Sequence, residues 1–249
     1  MRGIQAQTFT DYEHLIVDDG STDGTLELAR RLARDDSRIR VEANPANLGL
    51  AGARTRAVAL ARGEFLAWQD ADDIALPMRL ERQHAVLAAD AGIAIVGGYL
   101  EFFDESGPLS VRSYPTEDPE LRRMLFRFVP VSQPASMVRL SVLRDCGAYD
   151  ARYPPAEDLD MLFRIAARGR LANVPEVVVR YRQVNTSATF TRLRVMEKST
   201  LAIRRQYLRG PVRPSAGDLL FNLAHAASLY LMPQRLKLAL VQRIRNRPV

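Results

Sequence analysis

Short apolar runs alternate with amphipathic stretches through the first ninety residues. Leu15-Ile-Val17 is apolar and stops in Asp18-Asp19, so residues 13–18 are predicted to form a short buried strand. Residues 25–35 repeat Leu28, Ala29 and Leu32 at helical spacing with arginines between them. This predicts a helix from Thr25 to Asp35, capped by Thr22 or Asp23 and burying those three apolar side chains. Ile39-Arg-Val-Glu42 predicts a second strand, residues 51–61 an alanine-rich helix, and Phe65 to Trp68 a third strand. A helix over 77–90 follows, with Pro77 in its first turn. Strand, helix, strand, helix, strand predicts an α/β fold with a mostly parallel sheet flanked by helices.

Beyond residue 92 the texture changes. Ile93–Val96 and Tyr99–Phe103 predict two strands around Gly97-Gly98, and Asp104 to Pro108 predicts a turn. Helices are predicted near 117–127 and over 161–168, the second with Leu162, Ile165 and Ala166 on its apolar face and Asp158 and Asp160 in its first turn. Further on, Leu219 to Leu231 is an apolar run stopped by Pro233, too short to span a bilayer. Residues 234–247 mix Leu236, Leu240 and Ile244 with Arg235, Lys237, Arg243, Arg245 and Arg247. The pattern divides the chain into residues 1–190, with parts of about 1–92 and 93–190, and a basic helical extension over 191–249.

At 249 residues the chain is long enough for a substantial core, and 47% hydrophobic with 26% charged residues is ordinary for a soluble globular protein. Lys198 and Lys237 are the only lysines, so 33 of the 35 basic residues are arginine, a bias that hints at a GC-rich bacterial genome. The single cysteine, Cys146, forms no internal disulfide, which favours a reducing compartment. No secretory signal or apolar run of about 18 residues is visible, so a cytoplasmic location without a membrane span is expected. Charge changes the picture most. Residues 191–249 hold twelve Lys/Arg against Glu197 and Asp218, a net +10 that leaves −4 on the other 190 residues. A basic tail on a mildly acidic body points to an anionic surface. The tail has no interleaved aromatics of a nucleic-acid reader, so peripheral contact with the inner face of a membrane fits better than nucleic acid. The alternative is a helical pair packed on the body with a solvated basic face.

Candidate chemistry lies in the acids. Asp70, Asp72 and Asp73 crowd the end of a predicted buried strand, where they repel one another unless a cation neutralises them. Asp70 and Asp72, at i and i+2, point to one side of an extended segment, a spacing that suits a hard divalent ion also held by phosphate oxygens. Asp18 and Asp19 end another predicted strand, and ligands of doubly wound sheets sit outside the carboxyl ends of strands. Two acidic clusters on one edge indicate a metal–nucleotide site; a solvated acidic turn is the plain alternative. Asp158 follows a Pro-rich loop that presents it as a base for an attacking hydroxyl, whereas Glu157, Asp158 and Asp160 all also complement a helix dipole. His14, His84 and His225 share no metal-ligand spacing and, like Cys146, are read as structural.

Four ordered motifs resemble the family 2 glycosyltransferases of the GT-A fold: Gln7-Thr-Phe-Thr-Asp-Tyr-Glu13 running into Val17-Asp-Asp-Gly-Ser-Thr-Asp-Gly-Thr25; Asn47-Leu-Gly-Leu-Ala-Gly-Ala-Arg54; Asp70-Ala-Asp-Asp73 with Pro77, Leu80 and Gln83; and Glu157-Asp158-Leu-Asp160 with Arg164. The resemblance covers about residues 4–187. It implies that Asp19 binds the nucleotide base, that Arg54 lies along the nucleotide, and that Asp70 and Asp72 form the family's Asp-x-Asp. Asp72, with Asp70 and Asp73, would hold Mg²⁺ or Mn²⁺ on the diphosphate, and Asp158 would be the general base of an inverting transfer. The implied donor is a nucleotide sugar, UDP-linked above all, and the acceptor a saccharide or lipid-linked hydroxyl in cell-surface polysaccharide or glycolipid assembly. The family pattern also places an apolar first strand and most of a first helix ahead of residue 1, and a histidine near Val184 in the closing loop 181–187. No Gln-x-x-Arg-Trp of processive synthases occurs, which favours single-sugar transfer. A non-catalytic nucleotide- or membrane-binding relative and a metal-dependent nucleotidyltransferase are the alternatives; the latter needs a glycine-rich basic phosphate loop after the first strand.

Overall fold

A computed structural model describes residues 1–183, 192–233, 236–237 and 247–248. The expected closing-loop position Val184 with residues 185–187, and most of 234–247, lie outside the described residues. After a short helix α1 (Arg2–Gln5) come β1 (His14–Asp18), α2 (Thr25–Asp35), β2 (Ile39–Ala43), α3 (Gly49–Leu60), β3 (Phe65–Ala67), β4 (Ile74–Ala75) and α4 (Arg79–Ala89). The predicted strands and helices of this part are present to within two residues at each end. On α2, however, Leu28 faces solvent, and Ala29 with the partly buried Leu26, Leu32 and Ala33 forms the inner face.

The second part contains β5 (Ile93–Asp104), β6 (Gly107–Arg112), α5 (Asp118–Met124), β7 (Met137–Arg139), α6 (Leu140–Asp145), α7 (Glu157–Ala166) and β8 (Arg170–Arg182). Then follow α8 (Leu193–Gln206), α9 (Ala216–Leu231) and β9 (Arg247–Pro248). β5 is one strand, not two. Gly97 and Gly98 let β8 approach rather than break the run: a Cβ on Gly97 would lie 2.2 Å from Asn173 Oδ1, and one on Gly98 2.6 Å from Val178 Cγ2. β8 itself has no counterpart among the predicted strands, because Asn173 and Pro175 interrupt its apolar sequence.

Strand directions correct the mostly parallel expectation. β1 pairs with β2 in parallel as a separate two-stranded sheet, His14 opposite Ile39 through Asp18 opposite Ala43. The seven-stranded sheet is mixed: β5 and β8 are parallel, while β7 pairs antiparallel with β3 and β5, β6 with β5 and β9, and β4 with β8. The two-residue turn between β5 and β6 permits only the antiparallel arrangement. Since β3 and β4 pair with β7 and β8, both parts of the chain contribute to one sheet. One core lies among α3, α5, α6, α7 and α8, with Phe126 edge-on to Phe163 at 5.0 Å and Tyr207 stacked on Phe163 at 4.6 Å. A second joins α4 to β5 and β8 through Leu80, Leu87, Leu100 and Val179.

Candidate active site

β1 ends in Asp18, whose Oδ2 accepts from the Ser21 amide at 3.0 Å and so closes the loop that carries Gly20 at φ +76°. The neighbouring Asp19 turns the other way. Its Oδ1 accepts from Asn44 Nδ2 at 2.7 Å and from the Leu48 amide at 2.9 Å, tying this loop to the segment that starts α3. The buried Asp18 Oδ1 has no protein partner.

β3 is followed by a turn, in which the Asp73 amide donates to the Asp70 carbonyl at 3.3 Å. Asp70 to Asp73 is therefore not the extended segment expected from sequence. The turn leaves Asp72 exposed and Asp70 partly so, and folds Asp73 inward. Asp73 Oδ1 accepts from the Arg182 amide at 2.8 Å, Arg182 Nε donates to the Asp72 carbonyl at 3.2 Å, and Asp73 Oδ2 has no partner. Burial pushes the Asp73 carboxyl up to about 7, aided by the negative charges of Asp70 and Asp72 and opposed by the Arg182 amide and Arg79. Burial also raises Asp70, against the pull of Arg54.

Arg79 lies beneath this turn, 1% exposed. It donates to Gln83 Oε1 at 3.2 Å, Gln69 Oε1 at 2.9 Å, and the carbonyls of Trp68 at 2.5 Å and Ser136 at 3.3 Å. Burial lowers this guanidinium to about 10, and Asp70 and Asp73 are the charges that keep it ionised. Gln83 in turn donates to the carbonyls of Val96, Gly97 and Ala135, so the acidic turn stands on a hydrogen-bonded polar column inside the core. Gln7 similarly fastens α1 to the start of α4 by donating to the Gly3 and Leu76 carbonyls and accepting from the Leu80 amide.

The opposite wall is the first turn of α7. Glu157, 2% exposed, accepts from Arg54 Nη1 at 3.1 Å. Arg54 Nη2 lies 3.9 Å from Asp70 Oδ1, and the guanidinium stands over the Tyr149 ring at 5.6 Å. One arginine from α3 thus joins the acidic turn after β3 to the carboxylates that open α7. Asp158 Oδ1 accepts from the Leu159 amide at 2.8 Å. Burial raises its carboxyl to about 6, with Glu157 adding to the rise and Arg54 countering it. Asp160 points the other way, into the core, where Arg164 Nη2 is 2.8 Å from Oδ2 and the Tyr207 hydroxyl donates to Oδ1 at 2.9 Å.

Arg54 therefore links the turn that carries Asp70, Asp72 and Asp73 to the helix start that carries Glu157 and Asp158, and Asp19 is tied through the Leu48 amide to the start of the helix that carries Arg54. The fold assigns Asp160 to the core. Sequence reasoning overlooked Arg79 and gave Glu157 only a helix-dipole role. Arg79 and Gln83 were legible as an i, i+4 polar pair on the stripe that also holds Leu80 and Leu87. Arg182 belongs to the closing loop 181–187 that the resemblance implies, but its contact with the acidic turn was not legible, because it comes from the far end of an unpredicted strand. Among the described residues no three His, Cys, Asp or Glu side chains converge on a point. The carboxylate oxygens at the turn still suit a hard divalent cation, provided a ligand's phosphate oxygens complete its shell. His84 packs between Phe9 and Phe65, and Cys146 is buried with its thiol raised by burial, both as expected.

The mixed sheet flanked by helices is the GT-A fold, as comparison with known proteins shows. The family described as "Glycosyl transferase family 2" matches residues 1–147, and the chain belongs to it. It is 32% identical over 187 residues to the putative glycosyltransferase EpsE of Bacillus subtilis, covering 74% of this chain and 66% of that protein. It is 33% identical over 187 residues to an uncharacterized glycosyltransferase of Haemophilus influenzae, covering 71% and 58%. The chain thus spans about three fifths to two thirds of these relatives' length. Among solved structures, S. aureus TarS 1-349 in complex with UDP-GlcNAc superposes with a TM-score of 0.69 at 17% identity, over 94% of this chain and 68% of that one. The Pyrobaculum calidifontis mannosyltransferase PcManGT in complex with GDP-Man and Mn²⁺ gives 0.63 at 20% identity, over 93% and 65%.

Proposed function

We propose that this chain is an inverting, metal-dependent, non-processive glycosyltransferase that moves one sugar from a nucleotide donor, UDP-linked in the first instance, to an acceptor hydroxyl. The observation that carries this reading is Arg54, which contacts Asp70 on one wall of the cleft and Glu157, neighbour of Asp158, on the other. Donor-binding and acceptor-activating carboxylates then face one reaction centre. Asp19 and Arg54 would hold the nucleotide, and Asp72 with Asp70 would hold Mg²⁺ or Mn²⁺, Asp73 steadying the turn through Arg182. When bound, the ion would neutralise charge developing on the departing diphosphate.

Asp158 would take the proton of the acceptor hydroxyl as its oxygen attacks the anomeric carbon from the face opposite the leaving group. The C–O bond to the diphosphate breaks as the new glycosidic bond forms, which inverts the centre without a covalent intermediate. A carboxyl raised to about 6 is ionised at neutral pH yet more basic than an ordinary aspartate, as a general base requires. The acceptor would enter past residues 105–135 and 150–157, as a saccharide or lipid-linked hydroxyl of cell-envelope assembly. The nucleotidyltransferase reading lacks support, since the loop after β1 carries Asp19 and Asp23 in place of a basic phosphate cradle.

The test is thermal unfolding of the chain with UDP and Mn²⁺, with Asp72→Asn as control. A ligand at a hundred times its dissociation constant stabilises by about 2.7 kcal/mol. A metal-dependent gain lost in Asp72→Asn supports the site; no gain with UDP or GDP sinks it.

A further inference from the structure

α9 is amphipathic the wrong way round. Its polar side chains face the protein: Asp218 pairs with Arg127 Nε at 2.5 Å, Asn222 donates to the Phe126 carbonyl at 2.8 Å, and His225 Nε2 lies 3.3 Å from Glu197 Oε1. Phe221 packs inward on Phe128, but most of the helix's large apolar side chains face solvent, with Leu220 69%, Leu223 68%, Tyr230 77% and Leu231 83% exposed. Asp218 is the only charged residue on the helix, so no charge interrupts this outer face. An aqueous surface selects the reverse polarity, and a contiguous exposed apolar stripe marks a surface that another phase or molecule covers.

We propose that the outer face of α9 docks on an anionic membrane surface, with the helix lying in the headgroup–acyl boundary. Charge decides between a membrane and a second copy of the chain. Residues 191–249 carry a net +10, and their two acids are both spent internally, Asp218 on Arg127 and Glu197 on Lys237 at 2.8 Å. Self-association through this face would press two such surfaces together, whereas anionic lipid complements them. Cations flank the stripe at both ends. Exposed Arg213 lies just before the helix start, and Arg194 lines a recess of about 470 Å³ together with Tyr230 and Leu231. The geometry also fixes how the helix sits. Sixteen residues extend about 24 Å, short of a bilayer's hydrocarbon core, and the inward face is fastened to the body, so the helix lies flat. No described helix is long and apolar enough to cross a membrane.

This inference does not rest on the proposed catalytic reading, and its test leaves the cleft untouched. The full chain is floated with vesicles of phosphatidylcholine alone and of phosphatidylcholine with phosphatidylglycerol, beside L220E/L223E and the uncharged L220S/L223S. Binding to the anionic vesicles is expected, weakened by salt, and reduced about tenfold or more in both variants. Unchanged unfolding temperatures and an unchanged response to UDP with Mn²⁺ would show that the fold and cleft are intact. Absence of binding to anionic vesicles, or binding by both variants as strong as the parent's, overturns the proposal. A concentration-dependent dimer that the same substitutions disperse, without lipid binding, would reassign the face to a second copy.

Discussion

Two Asp-x-Asp segments are linked through Arg54, which reaches Asp70 in one and Glu157 beside the other, and their fates differ. In Asp70-Ala-Asp72 both carboxylates stay on the open side of a turn, and the neighbouring Asp73 is the one folded inward. In Asp158-Leu-Asp160 the same spacing lies on a helix, where residues two apart point about 200° from each other. Asp158 therefore lies on the side of Arg54, whose charge acts on it, and Asp160, 1% exposed, is locked between Arg164 and Tyr207. Residue type and spacing are shared; the backbone beneath them separates the proposed ligand site from a structural ion pair. Counterions follow the same division. Asp160 has two dedicated partners, whereas Asp70 and Glu157 share Arg54 and Asp73 keeps an oxygen without a partner.

The largest effect expected from breaking this contrast is on rate. Asp158→Asn should lower glycosyl transfer by about 10²–10⁴-fold with UDP–Mn²⁺ binding retained, measured by single-turnover transfer and thermal shift. The partner experiment moves stability instead. Asp160→Asn should cost about 3–5 kcal/mol in urea unfolding, because it uncouples a buried pair, while the folded fraction keeps its donor binding. Arg79→Met strips the acidic turn of its buried counter-charge and should cost about 2–4 kcal/mol. It should weaken metal-dependent UDP binding as well, which distinguishes support of the turn from support of the core alone.

pH sharpens the comparison further. The folded chain holds the Asp158 carboxyl at about 6, above its ordinary 3.8, so it binds this proton more tightly than the unfolded chain. The group's stabilising contribution is present below about pH 4 and lost as pH rises through about 6. Asp158→Asn should therefore be more stable than the parent near pH 7.5, by on the order of 2 kcal/mol, and lose that advantage near pH 4. Activity of the parent should rise with pH through about 6 as the base ionises. The smallest effect is expected at Asp72: unliganded Asp72→Asn should unfold within about 0.5 kcal/mol of the parent, since the residue is exposed.

The comparison also shows what a sequence carries. Local patterning fixed α2 and α3 and the strands before them, because helix and strand periods are written in neighbouring residues. It placed Asp19, Asp70 and Asp72 at strand ends, since acids that interrupt an apolar run must lie just beyond it. Tertiary structure decided the rest. The direction of β7 and β8 and the continuity of β5 past Gly97-Gly98 depend on partners distant in the chain. Asp160 went inward and Asp158 outward because of where α7 begins and what Tyr207, 47 residues away, offers. The inverted polarity of α9 is likewise invisible in its composition: only the positions of Arg127, the Phe126 carbonyl and Glu197 turn its polar side inward and leave its leucines outside. Sequence determines which side chains a segment can present, and long-range packing decides the direction in which each one points.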